Sequence, residues 1–503
     1  MSFLFGSLQR VTMPLLRMKV IQRHLCCSAT STNVSSSSQA PTDSANHSPI
    51  VQQTLKAVSS VIETSRGAET AANSVMLNYS LFDSHQRLQF LTSLAEEYQC
   101  NNEVVLDKAE ALTNSFDKAG PHKHMQRLRE SLVPPYDMLF REIGAAAGGV
   151  KFLVDFRSHV IAAARNCSNL AQAAALQAMS ASLKQLLGLW FGVGFLNLER
   201  VTWQSPCDLL EKVANYEGVH PVRNVSDLRL RVGAYRRCYV FMHPSMPGEP
   251  MVILHVALVK GISDSIQSIV HHPTLSKQSD FTRNYQLGED PTSFDTAVFY
   301  SITSTQAGLK GIDLGNYLIK SVVKLLLSEF PHLTNFSSLS PIPGFRDWLQ
   351  TEINQLAGGF RKQQFLTAEQ CLECSAALSC KADEMTVLGA LKTTLQDGTW
   401  SKDAVLANSL KNTLMNLCAR YLCHEKHRNS ALNSVANFHL RNGATLWRIN
   451  WLANTTAKGL SESCGLMVNY RYYIEKTSIN SEKYSQQHVI DADDQVLDLL
   501  IQL

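Results

Sequence analysis

A chain of 503 residues is too long for one ordinary hydrophobic core, so length alone predicts two domains with tails. With 45% hydrophobic and 18% charged residues it reads as globular, and 46 Lys and Arg against 43 Asp and Glu leave a formal charge of +3. That balance argues against nucleic acid as the main partner. No run approaches the roughly 18 apolar residues of a membrane span, and twelve cysteines over this length do not resemble a small disulfide scaffold.

Residues 1–40 carry Arg10, Arg17, Lys19 and Arg23, and the first acid is Asp43. Leu8, Val11, Leu15 and Met18 line one side of a helical wheel, and a Ser/Thr-rich run follows from Ser28 to Ser38. A basic, amphipathic, acid-poor segment of this kind reads as a cleavable mitochondrial transit peptide, with a disordered cationic tail as the alternative. Residues 41–83 are polar and short of aromatics, a linker with some helix from Val51 to Thr64. From 84 to 203 the pattern turns helical: Leu88, Phe90, Leu91, Leu94 and Tyr98 fall mostly on one side, and Asn101 and Asn102 offer a cap for the next helix. Ala171–Phe195, rich in Ala and Leu, has the length of a central bundle helix. Nothing in this stretch carries a chemical signature, so it reads as an all-helical packing and oligomerisation domain.

After Trp203 the texture changes, and residues 204–503 read as the catalytic domain. Strands are expected over Cys238–Met242, over Met251–Val259, which is apolar on both faces as a buried strand must be, and over Thr296–Ile302. Gly308-Leu309-Lys310-Gly311-Ile312-Asp313-Leu314-Gly315-Asn316 then precedes an amphipathic helix from Tyr317 to Leu327, and a short strand runs from Leu333 to Leu339. Gln363–Tyr421 is helical with a break at Asp397-Gly398, and strands return at Ala444–Ile449 and Gly465–Tyr473. The layout is α/β on a mixed sheet.

A glycine-bearing turn between a strand and a helix N-terminus offers several backbone N–H groups to one point, which suits a pyrophosphate. Lys310–Asn316 has neither the Walker nor the Rossmann spacing, so as a bare motif an ordinary tight turn competes with this reading. Cys371, Cys374 and Cys380 amount to part of a zinc set, but a closed structural site needs four ligands. The nearest others, Cys423, His424 and His427, follow a long helical stretch, so no metal is assigned. Arg236-Arg237 is read as solvated or touching adenine phosphates.

Larger blocks carry more information. Phe336-Ser337-Ser338-Leu339-Ser340-Pro341-Ile342-Pro343-Gly344-Phe345, Ala436-Asn437-Phe438-His439-Leu440-Arg441-Asn442-Gly443-Ala444 and Gly465-Leu466-Met467-Val468-Asn469-Tyr470-Arg471-Tyr472 resemble the signature blocks of malonyl-CoA decarboxylases. So does Pro247-Gly248-Glu249-Pro250 leading into Leu254-His255-Val256-Ala257-Leu258. Lys310–Asn316 resembles the coenzyme A pyrophosphate loop of the GNAT acetyltransferase fold, with Asp313 where that family has its middle glycine. The resemblance runs from about Leu88 to Leu500 and is strongest after Trp203.

It implies an all-helical N-terminal domain followed by an acetyltransferase-like mixed-sheet catalytic domain. It implies conversion of malonyl-CoA to acetyl-CoA and CO2, feeding the regulation of fatty acid synthesis and oxidation. No cofactor is implied, since coenzyme A is part of the substrate. Ser340 is implied as the carboxylate-binding proton acceptor and His439 as the proton donor, its imidazole expected near neutral pKa. Asp313 and Tyr472 are implied to support the pair. Lys310, Gly311, Ile312, Asp313, Leu314, Gly315 and Asn316 are implied to bind substrate, and backbone N–H groups near Ile302–Ser304 to hold the enolate oxygen. The family is further expected to form a homo-oligomer, a tetramer. Cys207 is either a buried free thiol or an interchain disulfide. The location expected is the mitochondrial matrix, with cytosolic and peroxisomal pools, although Leu500-Ile501-Gln502-Leu503 lacks a Ser-Lys-Leu address. Two other classes compete: an acyl-CoA-dependent acetyltransferase on the same fold, and a non-catalytic acyl-CoA-binding scaffold.

Overall fold

Helices come first: α1 (Pro49–Glu63), α2 (Ala68–Leu81), α3 (Ser84–Glu97), α4 (Asn102–Thr113), α5 (Pro121–Ser131), α6 (Tyr136–Ala145), α7 (Gly149–Asn166) and α8 (Leu170–Trp190). The computed structural model describes residues 47–63, 67–115, 121–192, 195–270, 289–312, 317–360 and 364–501. The segment read as a transit peptide lies outside them.

The stretch expected to be a polar linker departs from that reading. In α1, Val51, Leu55, Val58 and Val61 are buried at helical spacing, and in α2 Ala72, Val75 and Tyr79 are buried. Tyr79 sits among Phe82, Phe90, Phe152 and Phe156, with ring centroids between 5.1 and 5.7 Å away. The segment is polar by count, but its few apolar residues share one face, which is enough to dock a helix. Asp83 and Gln86 close a reciprocal capping box that starts α3. By contrast, α4 and α5 bury no residue and leave Val104, Leu106 and Met125 exposed.

A mixed sheet follows, formed by β1 (Asn197–Val201), β2 (Arg236–Met242), β3 (Val252–Val259), β4 (Thr296–Ser304), β5 (Asn335–Ser338), β6 (Ser340–Pro341), β9 (Thr445–Asn450) and β10 (Met467–Arg471). A separate small ribbon pairs β7 (Lys426–His427) with β8 (Ser430–Ala431). The sheet therefore begins at Asn197, ahead of the change in texture at Trp203. Strands β1 to β4 are antiparallel neighbours, β4 and β5 are parallel, and β10 lies antiparallel to β5, β6 and β9. Arg236 and Arg237 of β2 are buried rather than solvated. Arg237 pairs with Glu289 and Glu329 at 2.6 Å each, and Arg236 donates to the Ile269 carbonyl at 2.6 Å.

The β4–β5 ladder ends at Phe299↔Ser338, while β4 runs on to Ser304, so the sheet opens along the last part of β4. Between His255↔Ser301 and Val256↔Phe299 the register slips by one, leaving Tyr300 as the extra residue of a β-bulge. One hydrophobic core joins the helices to the sheet within a single unit from Ser48 onward. An all-helical front half followed by a mixed sheet is thus the architecture observed.

Candidate active site

The opening beside β4 holds a cavity of about 220 Å³ lined by residues of four regions. Phe299, Tyr300, Ser301, Ile302 and Ser304 come from β4. Ser340 and Pro341 come from β6, and Ser434, Val435, Phe438 and His439 from the helix Ser434–Arg441; Val219 completes the wall.

Local sequence explains how each side chain arrives. Ser340 sits on a two-residue strand opposite Val468 of β10. In the helix, Ala436, His439 and Leu440 are buried, a spacing that turns the imidazole inward. Asn433 caps this helix by accepting from the Ala436 N–H at 2.8 Å, and its amide donates to the Pro343 carbonyl at 2.8 Å. One buried asparagine thus ties the histidine helix to the Ser-Pro-Ile-Pro segment. Tyr470 and Tyr472 lie two apart on and just beyond β10 and meet the imidazole in two ways. The Tyr470 ring stacks on His439 at 4.4 Å and 15°, and the Tyr472 hydroxyl lies 2.6 Å from Nδ1.

Ser340 Oγ is 2.9 Å from His439 Nε2 and donates to Ser338 Oγ at 2.8 Å. Ser338 Oγ also accepts from the Tyr470 N–H at 3.3 Å. These bonds are mutually consistent when Tyr472 O–H donates to Nδ1 and Nε2–H donates to Ser340. Ser340 is 5% exposed and His439 2%.

The expectation of a near-neutral imidazole is not met by the surroundings of His439. Burial lowers the His439 pKa to about 3, because among the described residues no carboxylate beside it repays the desolvation of a cation. Burial likewise raises the Tyr470 and Tyr472 phenols, so both hold their protons at neutral pH. The site at rest is a neutral line, Tyr472–His439–Ser340–Ser338, with one imidazole N–H directed at the serine.

The geometry brings Ser340, His439 and Tyr472 together at the cavity, and Ile302 and Ser304 lie on its wall as the oxyanion reading requires. Lys310, Gly311 and Ile312 do not line it, and Asp313, Leu314, Gly315 and Asn316 lie outside the described residues. The start of that loop is held by the helical half. Arg157 of α7, 4% exposed, donates to the Gly308 carbonyl and, at 3.1 Å, to the Lys310 carbonyl. A Cβ at Gly308 would overlap the Val154 carbonyl oxygen, so only glycine allows this approach. Cys207 is an exposed free thiol at the first position of the helix α9 (Cys207–Tyr216), which removes the buried-thiol alternative. Cys371 and Cys374 are buried free thiols, and among the described residues no three His, Cys, Asp or Glu side chains gather as a metal set.

Sequence reasoning missed Ser338, Asn433 and Tyr470. Ser338 had a signal, being two residues before Ser340 on a strand and hence on its face; Asn433 had one as a cap ahead of the helix. Tyr470 had none, because its role is a tertiary stacking contact.

Known proteins share this architecture. The sequence profile of the malonyl-CoA decarboxylase N-terminal domain matches residues 98–191, and that of the C-terminal domain matches residues 194–502. The mitochondrial malonyl-CoA decarboxylase of Rattus norvegicus is 45% identical over 426 residues, covering 84% of this chain and 83% of that protein. That of Anser anser anser is 46% identical over 376 residues, covering 75% and 71%. The crystal structure of the malonyl-CoA decarboxylase from Rhodopseudomonas palustris is 30% identical, with a TM-score of 0.75, covering 89% of this chain and 99% of that one. The Agrobacterium vitis structure is 29% identical, with a TM-score of 0.72, covering 90% and 100%. With both domain profiles matched and relatives this similar over most of their length, the chain belongs to the malonyl-CoA decarboxylase family.

Proposed function

We infer that this chain is a carboxy-lyase that converts malonyl-CoA and a proton to acetyl-CoA and CO2. Within the family, the observation that carries a mechanism is the Ser340–His439–Tyr472 line at a largely apolar cavity. Ser340 binds and orients the malonyl carboxylate, turning the bond to be broken out of the thioester plane. Val219, Phe299, Ile302, Pro341, Val435 and Phe438 strip water from that carboxylate. When the C–C bond breaks, its electron pair enters the thioester as an enolate, stabilised by backbone N–H groups along the end of β4.

The neutral resting state of His439 assigns the proton a time of arrival. A carboxylate entering beside Nε2 in a low-dielectric cavity favours the imidazolium, so substrate and proton are taken up together. Loss of neutral CO2 moves that negative charge from the carboxylate onto the enolate. The Nε2 proton passes to C2, and His439 is left neutral with the proton it took up on Nδ1, facing Tyr472. Tyr472 keeps Nδ1 oriented throughout.

The reaction as written needs no biotin, metal or pyridoxal group. Lys310–Asn316 binds the coenzyme A pyrophosphate, and Asp313 supports the dyad. Residues 204–503 carry catalysis, and residues 84–203 serve assembly into a homo-oligomer, a tetramer. The exposed apolar residues of α4 and α5 support that role, and Cys207 supplies an interchain disulfide. The mitochondrial designation of the rat, mouse and goose relatives supports a mitochondrial location. Residues 1–40 act as the transit peptide, with cytosolic and peroxisomal pools beside the matrix. No helix of the described residues is long and apolar enough to cross a membrane.

Purified protein incubated with malonyl-CoA alone tests the reading. Acetyl-CoA and CO2 appearing without an amine acceptor or added metal is the expected result. No turnover, or turnover only with an acceptor, contradicts it.

A further inference from the structure

Opposite the dyad, behind the β4 wall, lies a second group of ionisable side chains that the mechanism above does not use. Glu217, directly after α9, and His255 of β3 each have a side chain at 0% exposure, with His255 Nε2 3.3 Å from Glu217 Oε2. Ser301 Oγ donates to both carboxylate oxygens, at 2.9 and 2.7 Å. The Val219 and His220 N–H groups donate to Oε1 at 2.8 and 2.9 Å. His255 stacks on Tyr300, the bulged residue, at 5.8 Å and 26°.

Two features set this pair apart from ordinary packing. A fully buried ion pair is weak evidence for stability, because apolar side chains of similar volume hold a core as well or better. The carboxylate is also the common anchor for two cavity walls, since Val219 and Ser301 belong to separate elements and both line the 220 Å³ cavity. Burial works against the carboxylate, but His255, the His220 amide and Ser301 outweigh it and bring its pKa to about 2. Burial also works against a charged His255, but its neighbours Cys238, Tyr300 and Glu217 outweigh it and raise the imidazole pKa.

We propose that Glu217 is a positioning residue of the decarboxylation site: by gripping Ser301 and the Val219 amide it fixes the bulged stretch of β4 against which the acyl thioester lies, with His255 as its buried counter-ion. The bulge removes Tyr300 from the β3 ladder, which resumes at His255↔Ser301, while beyond Phe299 the strand has no β5 partner on its other side. The carboxylate adds a side-chain anchor at Ser301, just past the bulge. The inference rests on the decarboxylase reading and adds to it what holds the wall facing Ser340 and His439.

The test compares Glu217→Gln, Ser301→Ala and the double variant with wild type. It reads kcat and KM for malonyl-CoA and the Kd for free coenzyme A. A displaced wall spoils alignment rather than nucleotide binding, so each single variant should lose roughly 10- to 100-fold in kcat. KM and Kd should change by no more than about threefold. Because Glu217 acts through Ser301, the double variant should match the worse single one. Near-normal kcat in folded single variants overturns the proposal, as does a double variant whose losses multiply. If Glu217→Gln fails to fold, Ser301→Ala decides alone, since it removes one oxygen and leaves the charges in place. Absence of wild-type turnover overturns the decarboxylase reading itself, whereas active wild type with unimpaired variants overturns only this inference.

Discussion

At the scale of single residues, His439 is defined by what surrounds it. Stacked on Tyr470 and bonded to Tyr472 and Ser340, it is positioned before substrate arrives, and burial keeps it neutral. Binding of a malonyl-CoA analogue that cannot lose CO2 should therefore take up close to one proton near neutral pH. Calorimetry in buffers of different ionisation enthalpy reads this directly, and His439→Gln should abolish it. Proton-neutral binding by the wild type would contradict the substrate-assisted protonation described above. The same burial shapes acid stability. The folded-state pKa of His439, about 3, lies below the ordinary 6.5, so the unfolded chain binds the proton first as pH falls. Stability from this group is complete above about pH 6.5 and declines below it, by about 2 kcal/mol between pH 6.5 and 5. His220, lowered to about 4 by burial, acts in the same direction. Thermal melts of the unliganded protein should show a shallower acid loss for His439→Gln than for wild type, and parallel curves would count against a buried neutral imidazole.

At the scale of elements, the contact between α7 and the segment after β4 ties the helical half to the start of the loop proposed to bind the coenzyme A pyrophosphate. Arg157 holds two carbonyls at the start of the expected pyrophosphate loop, and Gly308 fits against the α7 backbone. Arg157→Met in a folded protein should raise KM for malonyl-CoA roughly tenfold, the scale of lost hydrogen bonds to a charged group, with kcat nearly unchanged. Malonyl-pantetheine, which lacks the phosphates, should be turned over equally by both proteins; an equal loss on both substrates would contradict a role at the phosphates. Which elements were legible in the sequence follows from their patterns. Val252–Val259 is β-branched and apolar throughout, and the helix Tyr317–Glu329 repeats apolar residues at helical spacing, so both stand out. Strand β1, Asn-Leu-Glu-Arg-Val, is largely exposed along the edge of the sheet and has no apolar run to reveal it. Helices α1 and α2 were obscured by polar composition, although their apolar stripes are regular. Arg236 and Arg237 resembled surface charge because their partners, Glu289, Glu329 and the Ile269 carbonyl, are distant in sequence.

At the scale of the molecule, the opened sheet, the histidine helix and β10 converge so that Ser340 and His439, far apart in the chain, meet at 2.9 Å. The pair was legible through the resemblance of its flanking blocks. The Glu217–His255 group behind the opposite wall was not, because Glu217 and Ser301 meet only when α9 docks beside the sheet. The central claim is that the dyad performs the decarboxylation, and kcat for His439→Ala, Ser340→Ala and the double variant, beside coenzyme A affinity, tests it most directly. Each single change should lower kcat by about 10²-fold or more, within the range positioned acid–base groups contribute. The double variant should be little worse, since the two act as one unit, and coenzyme A should bind as before. Near-normal turnover by folded His439→Ala, or losses that multiply in the double variant, would contradict the account.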